Sequence, residues 1–182
     1  MLSRLHEFYR QQVAPQLQKD LGVSSVMAVP TVRQIVINVG FGKHLKDPRH
    51  QETVVHTLER IAGQKPVLTK AKKSISAFKL REGMVIGAKV TLRGERMWEF
   101  LDKFINVSLA RVRDFHGINP DSMGQSANLT VGIREHIVFP EIRSDEVEHL
   151  HGLEVSLITT APDRRAGQLL LTKLGFPFTT VK

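Results

Sequence analysis

The chain has 182 residues, 41% hydrophobic and 24% charged, with one Trp, one Tyr and no Cys. That composition supplies a core and excludes wholesale disorder, while the lack of cysteine excludes disulfides, Cys-based zinc sites and thiol nucleophiles. A net charge of +8 and a pI near 10.0 call for a polyanionic partner. No segment reaches the roughly 18 consecutive apolar residues of a membrane span. The start, MLSRLHEFYRQQ, lacks the apolar stretch of a secretory signal. The expectation is a soluble, unprocessed, cytoplasmic chain with no membrane partner.

Leu5, Phe8, Val13 and Leu17 recur at helical spacing and predict an opening helix facing a core, with Pro15 set to kink it. After Val29-Pro30, the β-branched run Val32 to Val39 predicts a strand. Ile35, Ile37 and Val39 fall on one face of it, and Val36 and Asn38 on the other. Gly40-Phe41-Gly42-Lys43 lacks the third glycine of a dinucleotide fingerprint and the Lys-Ser/Thr of a P-loop, so it reads as a strand-ending turn. Asp47-Pro48 reads as an N-cap with proline at the first helical position. Val54, Leu58 and Ile61 carry that helix to Gly63.

Between Val67 and Arg93 the pattern alternates. Met84, Ile86, Ala88, Val90 and Leu92 take one side, and Val85, Gly87, Lys89, Thr91 and Arg93 the other, which lines one sheet face with cations. A further helix is predicted over Glu95 to Val112, with Met97, Leu101, Phe104, Ile105 and Leu109 as its stripe and Trp98 beside it. Turn formers then predict a long loop from Asp114 to Asn128. Strands follow near Asn128 to Phe139 and Leu153 to Thr160, with an acidic helical stretch from Ser144 to His149 between them. A final helix runs from Pro162 to Leu174. The sum is a single α+β domain, 1–182, with an antiparallel or mixed sheet whose helices pack on one face and leave the other open.

Charge is concentrated along this chain. Residues 65 to 96 hold nine Lys/Arg against Glu82 and Glu95, a local +7, while residues 1 to 64 carry +3 and residues 97 to 182 carry −2. Counterion release from a nucleic-acid backbone rewards such concentration. Within it, Thr69 to Gly83 mixes Lys70, Lys72, Lys73, Lys79 and Arg81 with Ser74, Ser76 and Phe78. This reads as a projecting, hairpin-like basic arm of roughly six residues per side.

Catalytic constellations are missing. No Gly-x-Ser-x-Gly elbow occurs, and His149 and His151 stand at a spacing that diverges on a helix, so imidazoles at the surface are the default and no metal or cofactor is expected. Asp145, Glu146 and Glu148 read as a solvated run.

Gly63-Gln64-Lys65-Pro66, Thr69 to Ser76, Gly87 to Trp98, Arg111 to Phe115, Val138 to Ile142 and Gly175 to Phe178 together resemble ribosomal protein five of the bacterial large subunit, over nearly the whole chain. The resemblance implies a ribosome-bound structural constituent of the central protuberance, not an enzyme, with no small-molecule substrate. It implies that Asn38, Gln64, Lys89, Thr91 and Arg93 meet 5S rRNA and that the arm, Lys70 to Arg81, touches P-site tRNA. It further implies that Arg111, Arg113, Arg134 and Arg143 mark a bridge to a small-subunit head protein. Neighbouring large-subunit proteins and 23S-type rRNA would lie nearby, in a cytoplasmic ribosome with an organellar one as the alternative setting. Met123 to Leu129 departs from the family's Phe-Asp-Gly-Arg-Gly-Asn-Tyr-like stretch, so contacts from that loop are not carried over. An RNA-modifying enzyme using the same basic face is the competing reading.

Overall fold

Alternation of apolar and polar residues produces one open antiparallel sheet from β1 (Val32–Gly40), β2 (Val67–Lys70), β3 (Val85–Leu92), β4 (Leu129–Ile133) and β5 (Leu153–Thr159), ordered β2-β3-β1-β5-β4. With its helices this is the α+β fold expected. The computed structural model describes residues 2–45, 47–143 and 150–179. The acidic stretch expected from Ser144 to His149 lies outside them. By internal packing the chain divides into two compact units. One comprises Met1–Ile35, Leu92–Val131 and Val155–Lys182, and the other Val36–Thr91 and Gly132–Glu154.

In the first unit, the opening helix is not a straight α-helix. It runs as α1 (Arg4–Phe8), a π-helical turn over Tyr9–Val13, and α2 (Ala14–Leu21). Pro15 has no N–H to donate back, and the wider π turn directly before it absorbs that loss. Leu5, Val13 and Leu17 are buried, but Phe8 stays 37% exposed and is no core residue, contrary to expectation.

Gly94 (φ 60) turns the chain from β3 into α4 (Gly94–Lys103), which continues as a π turn over Phe104–Ser108 and a 3-10 turn over Leu109–Arg111. Met97, Leu101, Phe104 and Leu109 are buried as predicted. Trp98 does more than flank them. It is 4% exposed, with the His6 ring stacked on it at 5.0 Å. Helix α5 (Arg164–Lys173) starts where the Asp163 side chain accepts from the Ala166 N–H, and Lys173 pairs with Asp20 at 2.8 Å.

The segment between Val112 and Leu129 is tied down at several points. Ile118 bridges Phe178, and Arg164 donates to Pro120 O and Asp121 Oδ1 at 2.8 and 2.6 Å. Thr159 Oγ1 donates to Ala127 O at 2.9 Å. Ala127, in the stretch that departs from the resembled family, holds φ 57 and is fully buried with Ala161 and Ala166. It takes a left-handed backbone that glycine would adopt without strain.

In the second unit, α3 (Pro48–Ala62) begins and ends where its sequence signals predict. The Asp47 carboxylate accepts from the Arg49 and His50 N–H groups, Pro48 occupies the first turn, and Gly63 closes the helix at φ 67. Val54, Leu58 and Ile61 are buried, as are Ile37 and Val39 of β1 and Ala88 and Val90 of β3. Each such Val, Leu or Ile side chain contributes about 1.5–3 kcal/mol by leaving water. The Gly40-Phe41-Gly42 signal is the expected turn, with Phe41 only 1% exposed and a 3-10 turn over Gly42–His44.

β4 is shorter than predicted. It ends at Ile133, and His136–Val138 forms a 3-10 turn in which the Phe139 N–H donates to His136 O. The apolar run Ile137-Val138-Phe139 satisfies burial without any ladder. The imidazole at 151 is also unlike the surface group expected: His151 is 7% exposed, packed on His136.

Candidate nucleic-acid interface

A strand with one buried side must present its alternate residues elsewhere, and in both units those alternates are polar or open. In the second unit, Asn38 of β1 and Lys89 and Thr91 of β3, the adjacent strand, stand at positions alternating with residues 0–2% exposed. Lys89 is exposed, while Asn38 and Thr91 are half-buried. Among the described residues neither the Asn38 amide nor the Lys89 ammonium has a hydrogen-bond partner. Gln64, just past the glycine that ends α3, donates from Nε2 to Thr91 O at 3.1 Å. That bond fixes Gln64 to the end of β3 and leaves its carbonyl oxygen and second N–H for a ligand.

Gly87 stands at the same alternation as Lys89. A Cβ there would lie 2.5 Å from Val39 O, so glycine is what allows β1 and β3 to approach at this point.

In the first unit, Arg93 follows β3 and is exposed. Its Nε and Nη2 both donate to Gln34 Oε1 of β1, at 3.0 and 2.7 Å. Thr130 of β4 and Ser156 of β5 share a hydrogen bond at 3.1 Å at positions alternating with buried Leu129, Val155 and Leu157. Composition and spacing gave no notice of Gln34, Thr130 or Ser156. The Gln34–Arg93 pairing depends on strand register across 59 residues, and alternation within one segment cannot reveal that.

The arm is looser than a continuous hairpin. Its ladder pairs Val67, Leu68 and Thr69 with Lys89, Ala88 and Gly87, slips between Thr69 and Lys70 so that Lys70 pairs with Val85, and returns farther out as an isolated Ile75–Leu80 bridge. Buried Ala71 anchors its base, accepting from the Gly83 N–H and donating to Met84 O. Ser74 Oγ accepts from the Glu82 N–H, and Lys79 turns the tip at φ 54. Lys70, Lys72, Lys73, Ser74, Ser76, Lys79 and Arg81 are all exposed. Phe78, at 73% exposure, and Ile75 add an apolar tip among these cations.

Of the four arginines expected at a bridge, Arg111 and Arg113 belong to the first unit and Arg134 and Arg143 to the second, and all are exposed. Arg113 precedes Asp114, whose φ of 52 makes a sharp turn there.

Nothing on these faces is arranged for acid-base work. The carboxylate with a strong hydrogen-bonded partner set, Glu95, accepts from the Ser3 N–H at 2.9 Å and meets His6 Nδ1 at 2.6 Å. The Ser3 N–H chiefly, and His6 next, hold its pKa below the usual carboxylate range, which keeps it a fixed anion for α1. Among the described residues no group of three His, Cys, Asp or Glu could hold a metal, and no helix is long and apolar enough to cross a membrane.

Two family models together account for most of the chain: the one described as "Ribosomal protein L5" matches residues 25–81, and the one described as "ribosomal L5P family C-terminus" matches residues 85–178. This chain belongs to the ribosomal protein L5 family. Proteins called "Large ribosomal subunit protein uL5" agree along its length. The one from Mycoplasma capricolum is 49% identical over 98% of this chain and 99% of its own. The one from Herpetosiphon aurantiacus is 50% identical over 97% and 99%, and that from Streptococcus pneumoniae 51% over 98% and 99%. Membership in L5 makes the chain a structural, ribosome-bound protein of the large subunit and not an enzyme, which settles the competing reading of an RNA-modifying enzyme.

Proposed function

We propose that this protein binds 5S rRNA through the strand positions opposite its core, reaches P-site tRNA with its basic arm, and bridges to a small-subunit head protein in the cytoplasmic ribosome. The observation that carries the reading is the pairing of open donors with a dry reverse side. Asn38, Lys89 and Thr91 alternate with Ile37, Val39, Ala88, Val90 and Leu92, which are 0–2% exposed. Amide, hydroxyl and ammonium groups of this kind suit phosphates, 2′-hydroxyls and the base edges of folded RNA.

The arm suits a different contact. Its cations carry no base selectivity, its small hydroxyl residues let a phosphate come close, and Phe78 offers a face for stacking. Arg111, Arg113, Arg134 and Arg143 supply the charge for a partner across the subunit interface, and 23S-type rRNA and neighbouring proteins would complete the surroundings.

The test is direct titration of the purified protein with isolated 5S rRNA and with an unrelated RNA of equal length over a range of salt. Tight, preferential binding is expected, with log affinity falling by about 0.7 to 0.9 per phosphate contact for each decade of salt. Equal affinity for both RNAs would reduce the reading to nonspecific charge attraction.

A further inference from the structure

Arg93 is held before any ligand arrives. Its Nε and Nη2 converge on the single oxygen Gln34 Oε1, at 3.0 and 2.7 Å, and both residues lie in the same unit. A guanidinium fixed along that edge keeps its other N–H groups, on Nη1 and the outer side of Nη2, pointing away from Gln34 in a fork that matches two oxygens of a phosphodiester. The Gln34 Nε2 adds donors beside it, so the exposed edge of the pair holds no acceptor except the shared Oε1.

The identity of the acceptor matters. Glu95 stands two residues from Arg93, and a carboxylate there would ordinarily compete for the guanidinium. Its oxygens are instead taken by the Ser3 N–H at 2.9 Å and by His6 at 2.6 Å. Arg93 is therefore oriented by a neutral amide, which restrains the side chain and leaves its full positive charge for the ligand. The backbone supports this arrangement. Arg93 is extended (φ −141, ψ 166), and Gly94 at φ 60 then turns the chain away into α4.

We infer that Gln34 is a positioning residue for RNA binding: it sets the Arg93 guanidinium to grip a backbone phosphate and reduces the ordering cost of doing so. The inference rests on the reading of this strand face as an RNA surface. Immobilising one rotamer-rich side chain in advance is worth about a 3- to 10-fold gain in affinity.

A double-mutant cycle on the full chain, with isolated 5S rRNA as probe, tests it. Gln34→Ala should weaken binding about 3- to 10-fold at unchanged salt slope, since no charge is lost. Arg93→Ala should weaken it further and lower the slope by about 0.7 to 0.9. The double variant should bind like Arg93→Ala alone. Gln34→Glu keeps an acceptor for Arg93 but adds a negative charge. It should preserve a slowly exchanging Arg93 Nε–H signal in NMR spectra of the free protein while lowering both affinity and slope, and Gln34→Ala should abolish that signal. If Arg93→Ala weakens binding but Gln34→Ala does not, or if the two losses simply add, the positioning role is overturned while the RNA face stands. If Arg93→Ala has no effect, the RNA face itself is wrong at this position and the inference fails with it.

Discussion

His136 and His151 lie ring over ring, with centroids 4.0 Å apart and planes 7° from parallel. The His136 Nδ1 lies 3.3 Å from the His151 backbone nitrogen and 3.2 Å from the His151 carbonyl oxygen, accepting from the one or donating to the other according to its tautomer. His50 meets the same pair edge-on, 6.4 Å from His151. Burial, and then the neighbouring His136, push the His151 imidazole down to about 4, and burial lowers His136 as well.

The pair makes stability depend on acid. A histidine whose pKa is lower in the folded chain than in the unfolded one favours folding fully above pH 6.5 and loses that contribution as pH falls towards 4. For His151 the whole effect is about 3 kcal/mol, at about 1.4 kcal/mol per pKa unit. Urea unfolding from pH 7.5 to 4.5 should show a flat plateau followed by a decline below 6.5, and His151→Gln should make the decline shallower. An unchanged decline in that variant would assign the acid sensitivity to other groups.

Gly167 of α5 packs against the left-handed Ala127. A Cβ at Gly167 would lie 2.7 Å from Ala127 Cβ and 3.1 Å from its carbonyl oxygen. Gly167→Ala should therefore cost about 1–3 kcal/mol despite alanine's better helix propensity. Thermal unfolding measures it, and a stabilised variant would show that the helix and the loop separate freely.

Arg164 holds the loop before β4 through Pro120 O and Asp121 Oδ1. Arg164→Ala should speed amide hydrogen exchange at Ser122 and Met123, whose N–H groups bond within the local turn, while global stability changes by less than about 1 kcal/mol. Unchanged exchange would mean that the Ile118–Phe178 bridge and the burial of Ala127 suffice.

Lys72 and Lys73 are exposed on the arm, away from any buried contact. Reversing both charges should leave folding stability within about 0.5 kcal/mol and 5S rRNA affinity near wild type, yet weaken tRNA retention on reconstituted ribosomes several-fold. Equal loss of both affinities would end the division of labour between arm and sheet.

Which parts of this fold were legible follows from the range of the forces involved. The ends of α3 were readable because Asp47, Pro48 and Gly63 act within one turn of helix, and the faces of β1 and β3 were readable because alternation is local. Phe8 was misplaced because it stands at the margin of the stripe that Leu5, Val13 and Leu17 form, and spacing alone does not tell the margin from the centre. The end of β4 was missed because Val138 and Phe139 bury their side chains from a 3-10 turn, which an apolar run alone does not distinguish from a strand. Of the residues proposed to meet RNA, the cations and amides that alternate along the strands were legible. Gln34 was not, since its partner stands on another strand and only register joins them.

The central claim is that the strand face opposite the core grips 5S rRNA, and a salt-dependent titration of Thr91→Ala and Arg93→Ala against isolated 5S rRNA addresses it most directly. Both variants should fold as wild type. Arg93→Ala should lose about 1–3 kcal/mol of binding together with roughly one phosphate's worth of salt slope, and Thr91→Ala about 1 kcal/mol with the slope intact. Wild-type affinity and slope in both variants would contradict the account.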